Sequence, residues 1–304
     1  MGRKRIAITC GDPSGLGPEL IERCLVENRY EGAEFVLFGP GNWIDSIVRR
    51  SDLAVSGESL SEQVFEAGQP NPKGAKVAMA AMEAAARSCL EGRCDAVVTG
   101  PIAKSLCAEV GYEFPGQTEF FAYRWGGEPT MAFVGERLAL CLATWHIPLA
   151  EVPEALTRPV FERAVEAAHM LGKRLGRMEP RVIVCGLNPH AGEDGLLGSE
   201  EKERLNPWLD ALRARLTGSI EGCVPGDTAF ARAMKGEADV VVATYHDQGL
   251  APFKAVDFDS GVNVTLGLPH LRVSPDHGTG FGIAGKGIAS PGSTSKAIEL
   301  AIRL

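Results

Sequence analysis

The sequence predicts an α/β protein whose sheet is mostly parallel and covered by helices, and three observations lead there. Short apolar runs rich in Val, Ile and Ala recur along the chain, several of them lack polar alternation, and longer helical patterns fall between them. A strand without alternation is buried on both faces, as strands are when crossover helices cover a parallel sheet. The repeated order of strand, helix and strand then calls for crossover connections.

The runs are IAIT (6–9), FVLF (35–38), AVVT (96–99), LALCLAT (138–144), VIVCG (182–186), VVVAT (240–244) and VNVTL (262–266). Between them, 76–90 is alanine-rich, 158–175 carries apolar residues at helical spacing, and 199–216 is charged and amphipathic. Each is expected as a helix. Residues 51–74, rich in Gly, Ser, Glu and Pro, read as an irregular region. No linker divides the 304 residues into halves, so a second domain is woven in rather than strung on.

Composition narrows the function. The chain is 45% hydrophobic and 23% charged, ordinary for a soluble, well-cored protein. A formal charge of −8 with no Lys/Arg-rich block argues against a nucleic-acid or anionic-membrane surface, while leaving room for a local basic pocket. The first apolar run spans four residues, too short for a signal-peptide core, and no segment reaches the roughly 18 apolar residues of a membrane span. The eight cysteines include no C-x-x-C pair, and Cys141 and Cys185 lie inside apolar runs. They are expected as buried thiols in a reducing cytoplasm.

Chemistry concentrates after the strands, where open α/β sheets bind their ligands. IAIT runs into CGDPSGLGPE, AVVT into GPIAK, LALCLAT into WHIP, VIVCG into LNPHAGE and VVVAT into YHDQG. Three of these loops place a histidine within two to four residues of the strand end: His146, His190 and His246, out of six in the chain. One such histidine alone reads as an ordinary satisfied loop residue. Three at equivalent positions point to one divalent ion of the Zn²⁺, Co²⁺, Mn²⁺ or Fe²⁺ kind, with a coordination position left for substrate. His169 falls mid-helix and reads as a packed or surface residue, and His270 is open to either reading.

Two glycine-rich segments are candidate anion or cofactor loops. In GDPSGLGPE, Gly11, Gly15 and Gly17 let backbone N–H groups approach an anion before a helix expected near Glu19, although a tight β–α turn would need the same glycines. The motif is neither a Walker A loop nor G-x-G-x-x-G. A literal G-x-G-x-x-G at Gly280–Gly285 lies too near the C-terminus for a Rossmann unit, yet the segment DHGTGFGIAGKG, with His277, suits backbone contact with a cofactor. Lys254, Arg272 and Thr118 are candidate anion ligands, Arg as a bidentate fork and Lys as a point charge.

These blocks are shared with a known family. GDPSGLGPE, VTGPIAKS, GQTEFFA, TWHIPL, CGLNPHAGE, YHDQGLAPFK, GVNVTLGLPHLR and DHGTGFGIAGKG, in order from about residue 6 to 302, resemble those of the 4-hydroxythreonine-4-phosphate dehydrogenases, the PdxA family of vitamin B6 synthesis. GDPSGLGPE and HGTGFGIAGKGIASP also resemble signature segments of isopropylmalate and isocitrate dehydrogenases. The resemblance implies their two-domain fold, interwoven with a cleft between the domains, which binds NAD without a Rossmann fingerprint. Residues 1–115 with 263–304 would form the domain with the NAD-binding loops. Residues 116–262 would form the central domain, with the metal ligands and a dimer interface.

The resemblance further implies oxidation of 4-phosphohydroxy-L-threonine by NAD or NADP to 2-amino-3-oxo-4-phosphooxybutanoate, which decarboxylates to 3-amino-2-oxopropyl phosphate. The family's divalent ion (Zn²⁺, Mg²⁺ or Co²⁺) would be held by His146, His190 and His246 at a homodimer interface, with ligands from both subunits. Substrate contacts carry over to Gln117, Thr118, Lys254, Asn263 and Arg272, and candidate cofactor contacts to Gly11, Asp12, Gly15, His277 and Gly278. Asp247 is the candidate proton acceptor, with an orienting role for a neighbour or a relayed water as rivals. One position departs. Where the family usually reads G-H-T-E, this chain has Gly116-Gln117-Thr118-Glu119, and Gln donates a hydrogen bond but carries no charge. Dehydrogenation of D-threonate or D-erythronate 4-phosphate, or a non-redox phosphate or acyl transfer on the same scaffold, are therefore the alternatives.

Overall fold

In the computed structural model, which describes residues 3–304, every apolar run forms a strand. From the N-terminus come β1 (Lys4–Thr9), α1 (Leu16–Glu27), β2 (Ala33–Pro40), α2 (Gly41–Arg50), β3 (Val55–Ser61), α3 (Pro72–Leu90), β4 (Ala96–Thr99), α4 (Lys104–Glu109) and α5 (Gln117–Trp125). There follow β5 (Thr130–Val134), β6 (Ala139–Leu142), α6 (Val152–Ala155), α7 (Arg158–Arg174), β7 (Arg181–Cys185), α8 (Asn206–Arg213), β8 (Ser219–Val224), α9 (Gly226–Met234), β9 (Val240–Ala243) and α10 (His246–Asp257). The chain ends with β10 (Val262–Leu266), β11 (Leu271–Pro275) and α11 (Gly292–Arg303).

Two compact units result, one running to Pro129 and resuming at Val262–Leu304, the other Thr130–Gly261. The first break therefore falls after Pro129, not at residue 115. The reason is α5, which packs on α3, where the Trp125 indole N–H donates to the Ala86 carbonyl at 3.0 Å. In the first unit the strand order is β3-β2-β1-β4-β11-β10, parallel except for the β10–β11 pair. In the second it is β5-β6-β9-β7-β8, parallel except for β5–β6. β4 and β9 are buried along their whole length, which is why they read as unbroken apolar runs.

Local chemistry sets the helix starts. Asn71 caps α3 by accepting from the Lys73 and Gly74 amides, with Pro72 behind it. α1 begins at Leu16 rather than near Glu19, so the glycine loop is a tighter turn than expected. The expected helix over 199–216 is broken into a single π turn, Glu201–Leu205, and α8. Pro207 lies just inside α8 and has no N–H to bond back to the preceding turn. The irregular stretch 51–74 contains β3, an edge strand of exposed and half-buried residues with only two apolar side chains, Val55 and Leu60. All eight cysteines are free thiols, seven of them buried. Among the described residues no helix is long and apolar enough to cross a membrane.

Candidate active site

In the first unit the structure gathers Gln117, Thr118, Asn263 and Arg272 around one buried cation. Arg272 is the second residue of β11, at 5% exposure. Its guanidinium donates from Nε and Nη2 to Thr99 Oγ1 (3.1 and 2.8 Å), from Nη1 to Asn263 Oδ1 (3.0 Å), and from Nη2 to Gln117 Oε1 (3.0 Å), with Thr265 Oγ1 at 3.5 Å from Nη1. All these partners are neutral. Burial pushes the pKa down to about 10, so the group is still charged at neutral pH. These oxygens engage all five N–H groups of the fork, so what it offers an anion is a buried positive charge with no carboxylate to balance it. Gln117 and Thr118 open α5, whose N-terminal amides favour negative charge. Gln117 also donates from Nε2 to the Gly100 carbonyl at 3.0 Å, so its amide bridges the β4 loop and Arg272. A neutral amide can accept from a buried guanidinium; a protonated imidazole cannot.

The two glycine-rich segments, from opposite ends of the sequence, pack on each other in the same unit. Leu16 N donates to the Thr279 carbonyl, Gly285 N donates to Glu19 Oε2, and Leu16 and Leu20 cluster with Ala284 and Ala289. Gly11 has φ +71°, and a Cβ there would lie 2.4 Å from the Pro101 carbonyl oxygen, so only glycine fits. Three oxygens of the first segment are buried without a hydrogen-bond partner: Asp12 Oδ2, Ser14 Oγ and Glu19 Oε1. Burial raises the Asp12 pKa against the opposing effect of its bond from Ser14 N. Unsatisfied buried acceptors are costly and uncommon, so the segment fits a cofactor bearing N–H or O–H donors. His277 is tied to the Gly278 carbonyl (2.9 Å) and Thr294 Oγ1 (3.3 Å), while a Cβ on Gly278 would meet nothing within 4 Å.

The second unit holds the three strand-end histidines. His246 is the first residue of α10, and its Nδ1 lies 2.7 Å from Asp247 Oδ1. A carboxylate on Nδ1–H leaves Nε2 as the metal-ligating nitrogen. The His146 and His246 rings face each other with centroids 5.6 Å apart and planes at 39°. With metal–nitrogen bonds of about 2.0–2.1 Å, two imidazoles on one ion place their rings at about this spacing. They line a cavity of about 260 Å³ with Thr144, Trp145 and Tyr245. Tyr245 also lines the neighbouring cavity of about 550 Å³ that contains His190, Asn188 and Asp227. Lys254 lies on α10, two turns along from His246, at the surface.

His146 and His190 share an unusual backbone. Both have φ of +51°, and among the described residues the other non-glycine positions with positive φ are Ala191, Glu193 and Asp194. A left-handed residue bearing a Cβ costs roughly 1–2 kcal/mol, and such strain clusters at functional sites. His190 stands with its side chain 72% exposed, Nδ1 3.4 Å from Glu193 Oε2. Among the described residues of this single chain, no group of three His, Cys, Asp or Glu side chains is placed to hold a metal ion. The donor chemistry fits a borderline divalent cation, and one chain converges two of the three imidazoles.

Several side chains that build these arrangements escaped the sequence reading. Thr99 and Thr265 are buried strand threonines in apolar runs, and only the buried guanidinium shows why an oxygen is needed there. Asn188 and Glu201, which enclose the His190 turn, lie in the CGLNPHAGE block and just beyond it. A buried glutamate in a charged helical pattern gives no outward sign.

The comparisons with known proteins bear on the family and the fold. The sequence profile of the family described as "Pyridoxal phosphate biosynthetic protein PdxA" matches residues 39–301. A 4-hydroxythreonine-4-phosphate dehydrogenase from Methylorubrum populi is 40% identical, over 98% of this chain and 94% of that one. The crystal structure of 4-hydroxythreonine-4-phosphate dehydrogenase from Klebsiella pneumoniae superposes with a TM-score of 0.84 at 35% identity, covering 99% of this chain and all (100%) of that one. Isocitrate dehydrogenase from Methylococcus capsulatus, 15% identical with a TM-score of 0.51 over 98% of this chain and 83% of that one, shares the fold.

Proposed function

The chain belongs to the PdxA family of pyridoxal phosphate biosynthetic proteins, and from that premise we propose that it oxidises 4-phosphohydroxy-L-threonine with NAD or NADP. The product, 2-amino-3-oxo-4-phosphooxybutanoate, is a β-keto acid that loses CO₂ to give 3-amino-2-oxopropyl phosphate. One observation carries the reading above all: a buried Arg272 whose hydrogen-bond partners are all neutral leaves a positive charge for a phosphate or carboxylate to balance.

In this reading the first unit contributes Arg272, Thr118, Gln117 and Asn263 to the substrate, with Gln117 holding the guanidinium in plane. The glycine segments, with Gly11, Asp12, Gly15, His277 and Gly278, receive the dinucleotide. The second unit contributes Lys254 to the substrate and His146, His190 and His246 to a divalent ion of the Zn²⁺, Mg²⁺ or Co²⁺ kind. The third imidazole comes from a second copy of the chain, making the working enzyme a cytoplasmic homodimer. When bound, the ion would supply Lewis-acid stabilisation of negative charge and the nicotinamide would supply a hydride acceptor for carbon 3 of the substrate. Asp247 orients His246, and its free oxygen is available to take the hydroxyl proton directly or through water. Fixing the phosphate holds carbon 3 in one place, and that positioning accounts for a large part of the rate.

Gln117 supports keeping a second substrate in view, since a charged position of the family is neutral here. The test is an assay of NAD⁺ and NADP⁺ reduction with the 4-phosphates of hydroxythreonine, D-threonate and D-erythronate side by side. The highest kcat/KM is expected with 4-phosphohydroxy-L-threonine. A higher value for either sugar acid would reassign the substrate, and no reduction with any of the three would remove the redox step.

A further inference from the structure

The loop that carries His190 runs through five consecutive left-handed residues, His190 to Asp194, only one of them glycine. The His190 side chain is largely exposed, so packing does not aim it; the backbone does. A backbone of that kind relaxes unless something holds it, and the structure shows what does. Glu201, 2% exposed, begins the π turn after the loop and turns its carboxylate inward. Oε1 accepts from the Asn188 amide N–H (2.7 Å) and Oε2 from Asn188 Nδ2 (3.0 Å), which also donates to Glu200 Oε2 (2.7 Å). The chain wraps this carboxylate too tightly for side chains. A Cβ on Gly186 would lie 3.0 Å from Glu201 Oε1, one on Gly192 2.7 Å from Oε2, and one on Gly198 2.2 Å from Asn188 Nδ2.

We propose that Glu201 is the positioning residue of His190, acting through Asn188 two residues upstream. Its two oxygens fix where the left-handed turn begins, and the turn fixes where the imidazole points. The inference rests on the reading of His190 as a metal ligand, and its test separates the two. Co²⁺ is titrated into the metal-free full-length protein, following its visible absorption, for the wild type and for Glu201→Gln, Gly192→Ala and His190→Ala; thermal unfolding of each metal-free protein is measured alongside. Glu201→Gln keeps one acceptor for the Asn188 amide but turns an NH₂ towards Asn188 Nδ2, and Gly192→Ala crowds the carboxylate without removing it. Both are expected to bind Co²⁺ about 10–100-fold more weakly, reaching the wild-type spectrum at saturation, while the metal-free proteins stay folded. Wild-type affinity in both, with His190→Ala still losing Co²⁺, would show Glu201 to be structural only and overturn the proposal. Wild-type affinity in His190→Ala would overturn the ligand assignment itself, and the positioning role with it.

Discussion

The anion receptor and the histidine loops solve opposite problems. Arg272 is buried near the start of a strand, its fork saturated by neutral side chains on β4, α5 and β10, and none of these residues has a positive φ. His146 and His190 are carried on loops, in left-handed backbone, with His190 open to solvent and only two of the three imidazoles converging within one chain. The first region is finished by folding. The second is held ready at a conformational cost and depends on something else to complete it. A guanidinium has fixed geometry and needs only a dry, polar lining to be aimed, whereas an imidazole on a loop is aimed only by the backbone beneath it.

The largest expected effect breaks the first half of that contrast. Arg272→Lys keeps the charge but replaces a planar five-donor fork with one three-donor nitrogen, which cannot match the separate positions of the Thr99, Asn263 and Gln117 oxygens, so at least one loses its donor in a buried place. Each such loss costs about 1–3 kcal/mol. We expect kcat/KM for the phosphorylated substrate to fall about a hundredfold or more, mostly through KM, with a lower melting temperature. Unchanged kinetics in the lysine variant would mean that charge alone matters and that the planar lining is incidental.

How much of this was readable beforehand follows the same division. His146, His190 and His246 were legible because a strand end is a place, and three histidines in equivalent places stand out of six. Arg272 was legible only as one arginine after an apolar run. Its burial depends on β11, which was not expected as a strand because LRVSP carries a charge at its second position. The oxygens of Thr99 and Thr265 come from β4 and β10, neighbours of β11 in the sheet but 166 residues apart in sequence by their numbers, so no local pattern reports them. The left-handed path of 190–194 was equally hidden, since only Gly192 among the five announces positive φ. Resemblance supplied the roles that periodicity could not.

A middle-sized effect sharpens the second half of the contrast. Asp247 is 86% exposed and touches His246 through one oxygen. Asp247→Asn is therefore expected to leave the melting temperature of the metal-free protein unchanged while weakening metal affinity about 10–100-fold, as loss of an orienting carboxylate does. Kinetics at saturating metal then divide its two roles. Recovery of kcat would leave orientation as its whole contribution; a kcat that stays low by about a hundredfold or more would make it the proton acceptor.

The smallest effect tests whether the histidine loop is strained at all. Ala191 sits at φ +52°, where its Cβ costs roughly 1–2 kcal/mol. Ala191→Gly removes that cost but loosens the unfolded chain by about 0.5–1 kcal/mol. The balance is a gain of up to about 1 kcal/mol, read as a rise of about 1–3 °C in the melting temperature of the metal-free protein. Glycine also gives the turn freedom to leave the left-handed region, so Co²⁺ affinity should fall by a factor of a few even as stability rises. Stability and metal affinity moving in opposite directions is the signature of a loop strained to aim a ligand. If the glycine variant melts lower, the turn is a relaxed structure, and the contrast with Arg272 reduces to one of exposure alone.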